Sequence, residues 1–164
     1  MMPLRMTTIY CTKAARPITK RKNPRMARVL LADHNPTSRL TLKTVLEAGG
    51  YRVDSAATAA EAVGLMDEKE YALVLTDLAM ESPEAGLRVL AHARIKEYQP
   101  ATALVTAWGN ESESAVEAAK APSAKMLVEP QGVPELLGEV ATLISRRATR
   151  LVARRMRRRT AAVS

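Results

Sequence analysis

Five short apolar runs alternate with stretches of helical period, and this alternation narrows the choice of fold more than anything else in the 164 residues. The runs are Arg28–Ala32 (RVLLA), Tyr51–Ala56 (YRVDSA), Tyr71–Thr76 (YALVLT), Ala101–Ala107 (ATALVTA) and Ala124–Val128 (AKMLV). Apolar runs of this length suit buried strands. The first helical stretch carries Leu40, Val45 and Leu46 behind Asn35-Pro36 and stops at Gly49-Gly50, a start-and-stop pair. The second opens at Thr58 with Glu61 three residues on, a capping box. The third, about 85–97, sets Leu87, Leu90 and Ala91 on one face. The fourth opens at Asn110 with Glu113 as its box partner, and the fifth has Pro134 in its first turn beside Glu135.

Strand then helix, five times over with short connections, predicts an α/β fold with a parallel sheet covered on both faces. Right-handed crossovers make it doubly wound. Chemistry in such sheets collects outside the carboxyl ends of the strands. Those ends carry Asp33, His34 and Asn35 after the first run, Asp77 after the third, Thr106 at the fourth, and Glu129-Pro130 after the fifth. Carboxylates gathered this closely raise one another's pKa or recruit a cation, and an oxygen-rich group suits magnesium.

Charge divides the chain into three expected segments: a basic leader (1–26), a domain (27–145) and an Arg-rich helical extension (146–164). Residues 1–28 hold eight basic residues and no acid, and residues 145–164 hold eight arginines and no acid. The other nine of the 25 basic residues face all 17 acidic ones, so 29–144 has a net charge of −8. The single Cys11 allows no internal disulfide, which fits a reducing, cytoplasmic setting. No apolar run approaches the roughly 18 residues of a membrane span. The basic leader reads as a disordered extension, with a transit peptide as the alternative, and Met26 would also serve as a start.

From about Arg28 to Ile144 the chain resembles the receiver domain of bacterial two-component response regulators. VLLADHNPTSR, LVLTDLAM, LVTAWG and MLVEP, in order and in register, carry the resemblance. It implies a flavodoxin-like five-stranded sheet of order 2-1-3-4-5 and a non-enzymatic signalling role within a phosphorelay. Asp77 would accept a phosphoryl group from a histidine kinase or phosphotransfer protein, and Thr106 would hydrogen-bond that group. Asp33, Asp77 and the backbone carbonyl of Ala79 would hold magnesium. A downstream effector, and dimerisation, belong to the same implication.

Four positions depart from the pattern, among them Pro122 in place of a glycine-containing turn before the fifth run. His34 replaces the second acid of the magnesium pair and is a poor ligand for that ion. Glu129 stands where the family places a lysine, and Met126 where it places an aromatic switch. Pro130 keeps the pattern, with a cis Glu129–Pro130 bond as an expectation. A unit charge about 5 Å away is worth roughly 3 kcal/mol at an effective dielectric of about 20, so reversing its sign costs on the order of 6 kcal/mol. The site is therefore weakened. Either Asp33, Asp77 and Glu129 share a metal ion, or the fold serves as a phosphorylation-independent docking module. Trp108 is a partner anchor or a packing residue.

The last helical stretch runs on past the domain. Val140, Ile144, Ala148, Leu151 or Val152, and Met156 keep a spacing of three to five, while Arg146, Arg147, Arg150, Arg154, Arg155, Arg157, Arg158 and Arg159 fill other faces. A helix from Pro134 to about Arg159 would be about 39 Å long, its last 15 or so residues projecting clear of the domain. Its partner would be nucleic acid, an anionic membrane or an acidic protein surface, against the alternative of a frayed, solvated tail.

Overall fold

The structure, a computed structural model, describes residues 26–78, 80–82, 84–106, 124–128 and 132–162, with backbone alone for Thr106 and 124–128. Five strands form one sheet: β1 (Arg28–Ala32), β2 (Arg52–Ala56), β3 (Leu73–Asp77), β4 (Ala101–Thr106) and β5 (Ala124–Val128). Their order is β2-β1-β3-β4-β5 and every pairing is parallel, as the alternation predicts. Four helices are described: α1 (Pro36–Ala48), α2 (Ala59–Glu68), α3 (Ala85–Ile95) and α4 (Val133–Ala161). The helical stretch expected from Asn110, Trp108, the Glu129–Pro130 bond and the leader lie outside the described residues, as does the Met126 side chain.

Alternation along the strands builds the two cores. Val29, Leu31, Leu73, Leu75 and Ala103 face α1 and α4, meeting Leu46, Leu136, Val140 and Leu143. Leu30, Ala32 and Val74 face the other way, onto Ala59, Ala62 and Met66 of α2 and Val89 of α3. Central strands buried on both faces are why β1 and β3 read as continuous apolar runs. Each fully buried Leu removes enough apolar surface to stabilise by about 1.5–3 kcal/mol.

Local chemistry fixes where the helices start. The Asn35 side chain accepts from the backbone N–H groups of Thr37 and Ser38 at 2.9 and 3.1 Å, and Pro36 supplies the first turn. Thr58 accepts from the Glu61 N–H while Glu61 accepts from the Ala57 N–H, closing a reciprocal box. Four expected boundaries shift: β2 begins at Arg52, β3 begins at Leu73 and ends at Asp77, and α3 ends at Ile95, where Lys96 turns extended.

The extension continues α4 without a break to Ala161. Its inner end is fastened to the domain, where the Arg147 guanidinium donates to the carbonyl oxygens of Tyr98 at 2.6 Å and Gln99 at 2.8 Å, while from Ala148 on every described residue except half-buried Leu151 is exposed. Those two bonds hold α4 against the turn that leads into β4.

Candidate functional site

The strand register brings the expected residues to one rim. Ala32 pairs with Thr76, and Asp77 pairs with Val105. Asp33 therefore follows β1 beside the tip of β3, and Thr106 follows the partner of Asp77 on β4. Strands about 4.8 Å apart put these three positions within reach of one small ligand.

Asp33 is buried, at 5% exposure, and one of its oxygens is already engaged: Oδ1 accepts the backbone N–H of Asn35 at 2.8 Å. The same Asn35 caps α1, so Asp33 and the helix start are a single rigid unit. Arg39, one turn into α1, donates to the backbone carbonyl of Asp33 at 2.6 Å and reaches that of His34 at 3.4 Å. These bonds fix the loop from which His34 projects.

His34 turns its Nδ1 to Asp77 Oδ2 at 3.2 Å and lies 4.0 Å from Asp33 Oδ1. Asp33, His34 and Asp77 offer one ligand atom each within 4.8 Å of one another. The two carboxylates fit magnesium, a hard ion that takes oxygen donors. The imidazole does not, since nitrogen ligands suit later transition metals. The Ala79 carbonyl, the Thr106 hydroxyl and Glu129 lie outside the described residues, so the expected three-carboxylate set is represented here by two acids and a histidine.

Behind the rim, packing holds the loop after β3. Thr76, fully buried, donates its hydroxyl to the Asp77 carbonyl at 3.1 Å. Leu78 enters a cluster with Leu90 and Leu104, and Met80 enters the α2–α3 core. Glu81 accepts the Ala59 N–H at 2.9 Å, adding a second acidic cap to the start of α2. A Cβ on Gly86 would lie 2.5 Å from the Asp77 carbonyl oxygen and 3.0 Å from that of Leu78, so only glycine lets α3 approach this closely.

Sequence reading missed Arg39, Glu81 and Gly86. Arg39 had a visible signal, a cation four residues after the N-cap. Glu81 meets Ala59 across 22 residues, a contact with no local signature.

The response regulator receiver domain model matches residues 29–141. The chain belongs to this family. It is 40% identical over 68 residues to the sensor protein EvgS of Escherichia coli K12, covering 42% of this chain and 5% of that protein. It is 36% identical over 103 residues to the alginate biosynthesis transcriptional regulatory protein AlgB of Pseudomonas syringae pv. tomato, covering 63% of this chain and 22% of that one. The chain thus matches a small part of these relatives' length. A response regulator receiver protein from Sinorhizobium medicae superposes with a TM-score of 0.66 at 20% identity, over 75% of this chain and 98% of that one. The fold likeness agrees with the strand order observed. Among the described residues, no helix of this receiver is long and apolar enough to cross a membrane.

Proposed function

We propose that this receiver works in the cytoplasm as a signalling module, relaying through protein contacts, with Asp77 as a slow phosphoryl acceptor. The observation that carries the reading is the 3.2 Å contact between His34 Nδ1 and Asp77 Oδ2. Phosphorylation requires a carboxylate oxygen of Asp77 to attack phosphorus as the donor's leaving group departs. An oxygen held by the imidazole must first be released. A hydrogen bond to a charged group contributes about 1.5–3 kcal/mol, of which one tenfold in rate takes about 1.4.

Asp33 and Asp77 would hold magnesium, which neutralises charge on the transferring group, while His34 stands where a further oxygen donor would serve the ion better. Thr106 would meet the phosphoryl group, and the Ala79 carbonyl would complete the ion's shell. Glu129 would oppose the added negative charge. A histidine kinase or phosphotransfer protein would be the donor and an effector the receiver of the signal. The alternative, an accessory protein acting through the arginine extension on nucleic acid or membrane, draws on the position of α4 rather than on this rim.

The test is labelling of Asp77 by a small acyl phosphate with magnesium, followed by mass spectrometry. His34→Asp with Glu129→Lys is expected to label at least tenfold faster than wild type, and Asp77→Asn not at all. Equal rates in wild type and double variant would refute the electrostatic argument.

A further inference from the structure

Far from the Asp77 rim, at the end of the sheet where β4 begins, α3 and α4 enclose an open cavity of about 560 Å³. Its apolar floor is Ala93, Pro100 and Leu151. Its walls are cationic: Arg94 comes from α3, and Arg147, Arg150, Arg154 and Arg157 come from α4. At 100° per residue the four α4 arginines fall within a stripe about 80° wide, running about 15 Å along the helix.

Arg147 is spoken for by the Tyr98 and Gln99 carbonyls, and its burial among them lowers its pKa. The others are not. Among the described residues, Arg94, Arg150, Arg154 and Arg157 make no ion pair with any carboxylate, and all four are exposed. Four unpaired guanidinium forks converging on one groove are an anion site awaiting its anion.

We infer that this groove binds the phosphodiester backbone of a nucleic-acid strand, independent of sequence. The row is too long for one or two phosphates and matches a linear polyanion. No aromatic or carboxylate group lines it, so it offers neither a stacking platform nor base readout; it reads the backbone. The competing occupant is the acidic face of a second copy. That occupant is a poorer match for a continuous row of guanidinium groups, because six of the domain's carboxylates, Asp33, Asp54, Glu61, Asp67, Asp77 and Glu81, already have partners within their own chain. Arg94 makes this a site of the folded domain, not of a charged tail alone. The inference is independent of phosphorylation at Asp77.

The experiment is fluorescence anisotropy of the full chain with a labelled 20-nucleotide single strand and the matching duplex, titrated across salt. Binding is expected to weaken with salt at a log–log slope of about −3. Arg94→Ser and Arg150→Ser/Arg154→Ser are each expected to lose at least fivefold in affinity. Arg155→Ser/Arg159→Ser, on the opposite face of α4, is expected to lose less than twofold. Circular dichroism verifies that each variant is folded. Equal losses from both faces, or no loss in Arg94→Ser, would overturn the groove. So would stronger binding to polyglutamate or to anionic lipid vesicles than to nucleic acid, or a dimer that the groove variants dissolve.

Discussion

Gly86 sets how near the first turn of α3 comes to the tip of β3, and the obstacle to any larger residue is backbone, which cannot swing aside. A methyl group 2.5 Å from the Asp77 carbonyl oxygen must displace either the helix or the strand end that carries the acceptor. Overpacking of this kind costs about 1–3 kcal/mol, more than the roughly 1 kcal/mol that alanine gains over glycine within a helix. Gly86→Ala is therefore predicted to lower the urea unfolding midpoint. Gly64→Ala, in α2 with nothing within 4 Å of its added methyl, is predicted to raise it. Opposite signs in one denaturation series would verify that contact, not helix propensity, decides at Gly86. The same scale shows what sequence could offer at the site. Asp33, His34 and Asp77 were legible because they end apolar runs. Their mutual orientation was not, since it depends on Arg39 and Asn35 gripping the loop between them.

The elements are tied along their outer edges by carboxylates whose titration should govern acid stability. Asp67 on α2 accepts from Lys96, and from His92 Nε2 at 2.8 Å, and these two bonds hold its pKa below the usual carboxylate value. Burial pushes the Asp54 pKa up, but hydrogen bonds from the Tyr71 hydroxyl at 2.8 Å and Lys69 at 3.3 Å outweigh it and leave it depressed. A carboxylate with a depressed folded pKa binds fewer protons folded than unfolded. Its contribution is complete above the unfolded value of about 3.9 and disappears as pH falls through the lower folded value. Wild type is predicted to lose stability steeply between pH 4 and the depressed folded values (roughly the range where free Asp has already protonated). Asp54→Asn/Asp67→Asn should start lower at pH 7 and fall less steeply; parallel thermal-melting curves for the two would contradict this. Helix starts at Asn35 and Thr58 were legible from sequence because a cap and its helix lie within four residues. These inter-element ties were not, since Asp67 meets Lys96 across 29 residues of chain.

At the scale of the molecule, an acidic domain carries an arginine-rich helix whose two halves do different work. The strand-and-helix alternation announced the layers, and the charge pattern put the end of the domain near residue 145, but not which arginine fastens α4 there, because an amphipathic arginine helix has the same period on or off a surface. The packing decides it. Leu136, Val140 and Leu143 are buried in α4, Arg147 hydrogen-bonds the Tyr98–Gln99 turn, and no described residue beyond it is buried. Gln99 holds a positive φ of 45° in that turn, a conformation that a branched or bulky residue resists and that the two Arg147 bonds help to hold. A chain ending at Ala148 keeps all of these contacts, and its unfolding free energy is predicted to stay within about 0.5 kcal/mol of the full chain. A chain ending at Ser145 loses both guanidinium bonds and is predicted to be about 1–3 kcal/mol less stable. Binding should separate from stability: the Ala148 chain, stable but stripped of Arg150, Arg154 and Arg157, is expected to lose nucleic-acid affinity almost entirely. If the Ala148 chain instead unfolds as readily as the Ser145 chain, the outer half of α4 is a structural element and the division of labour drawn here fails.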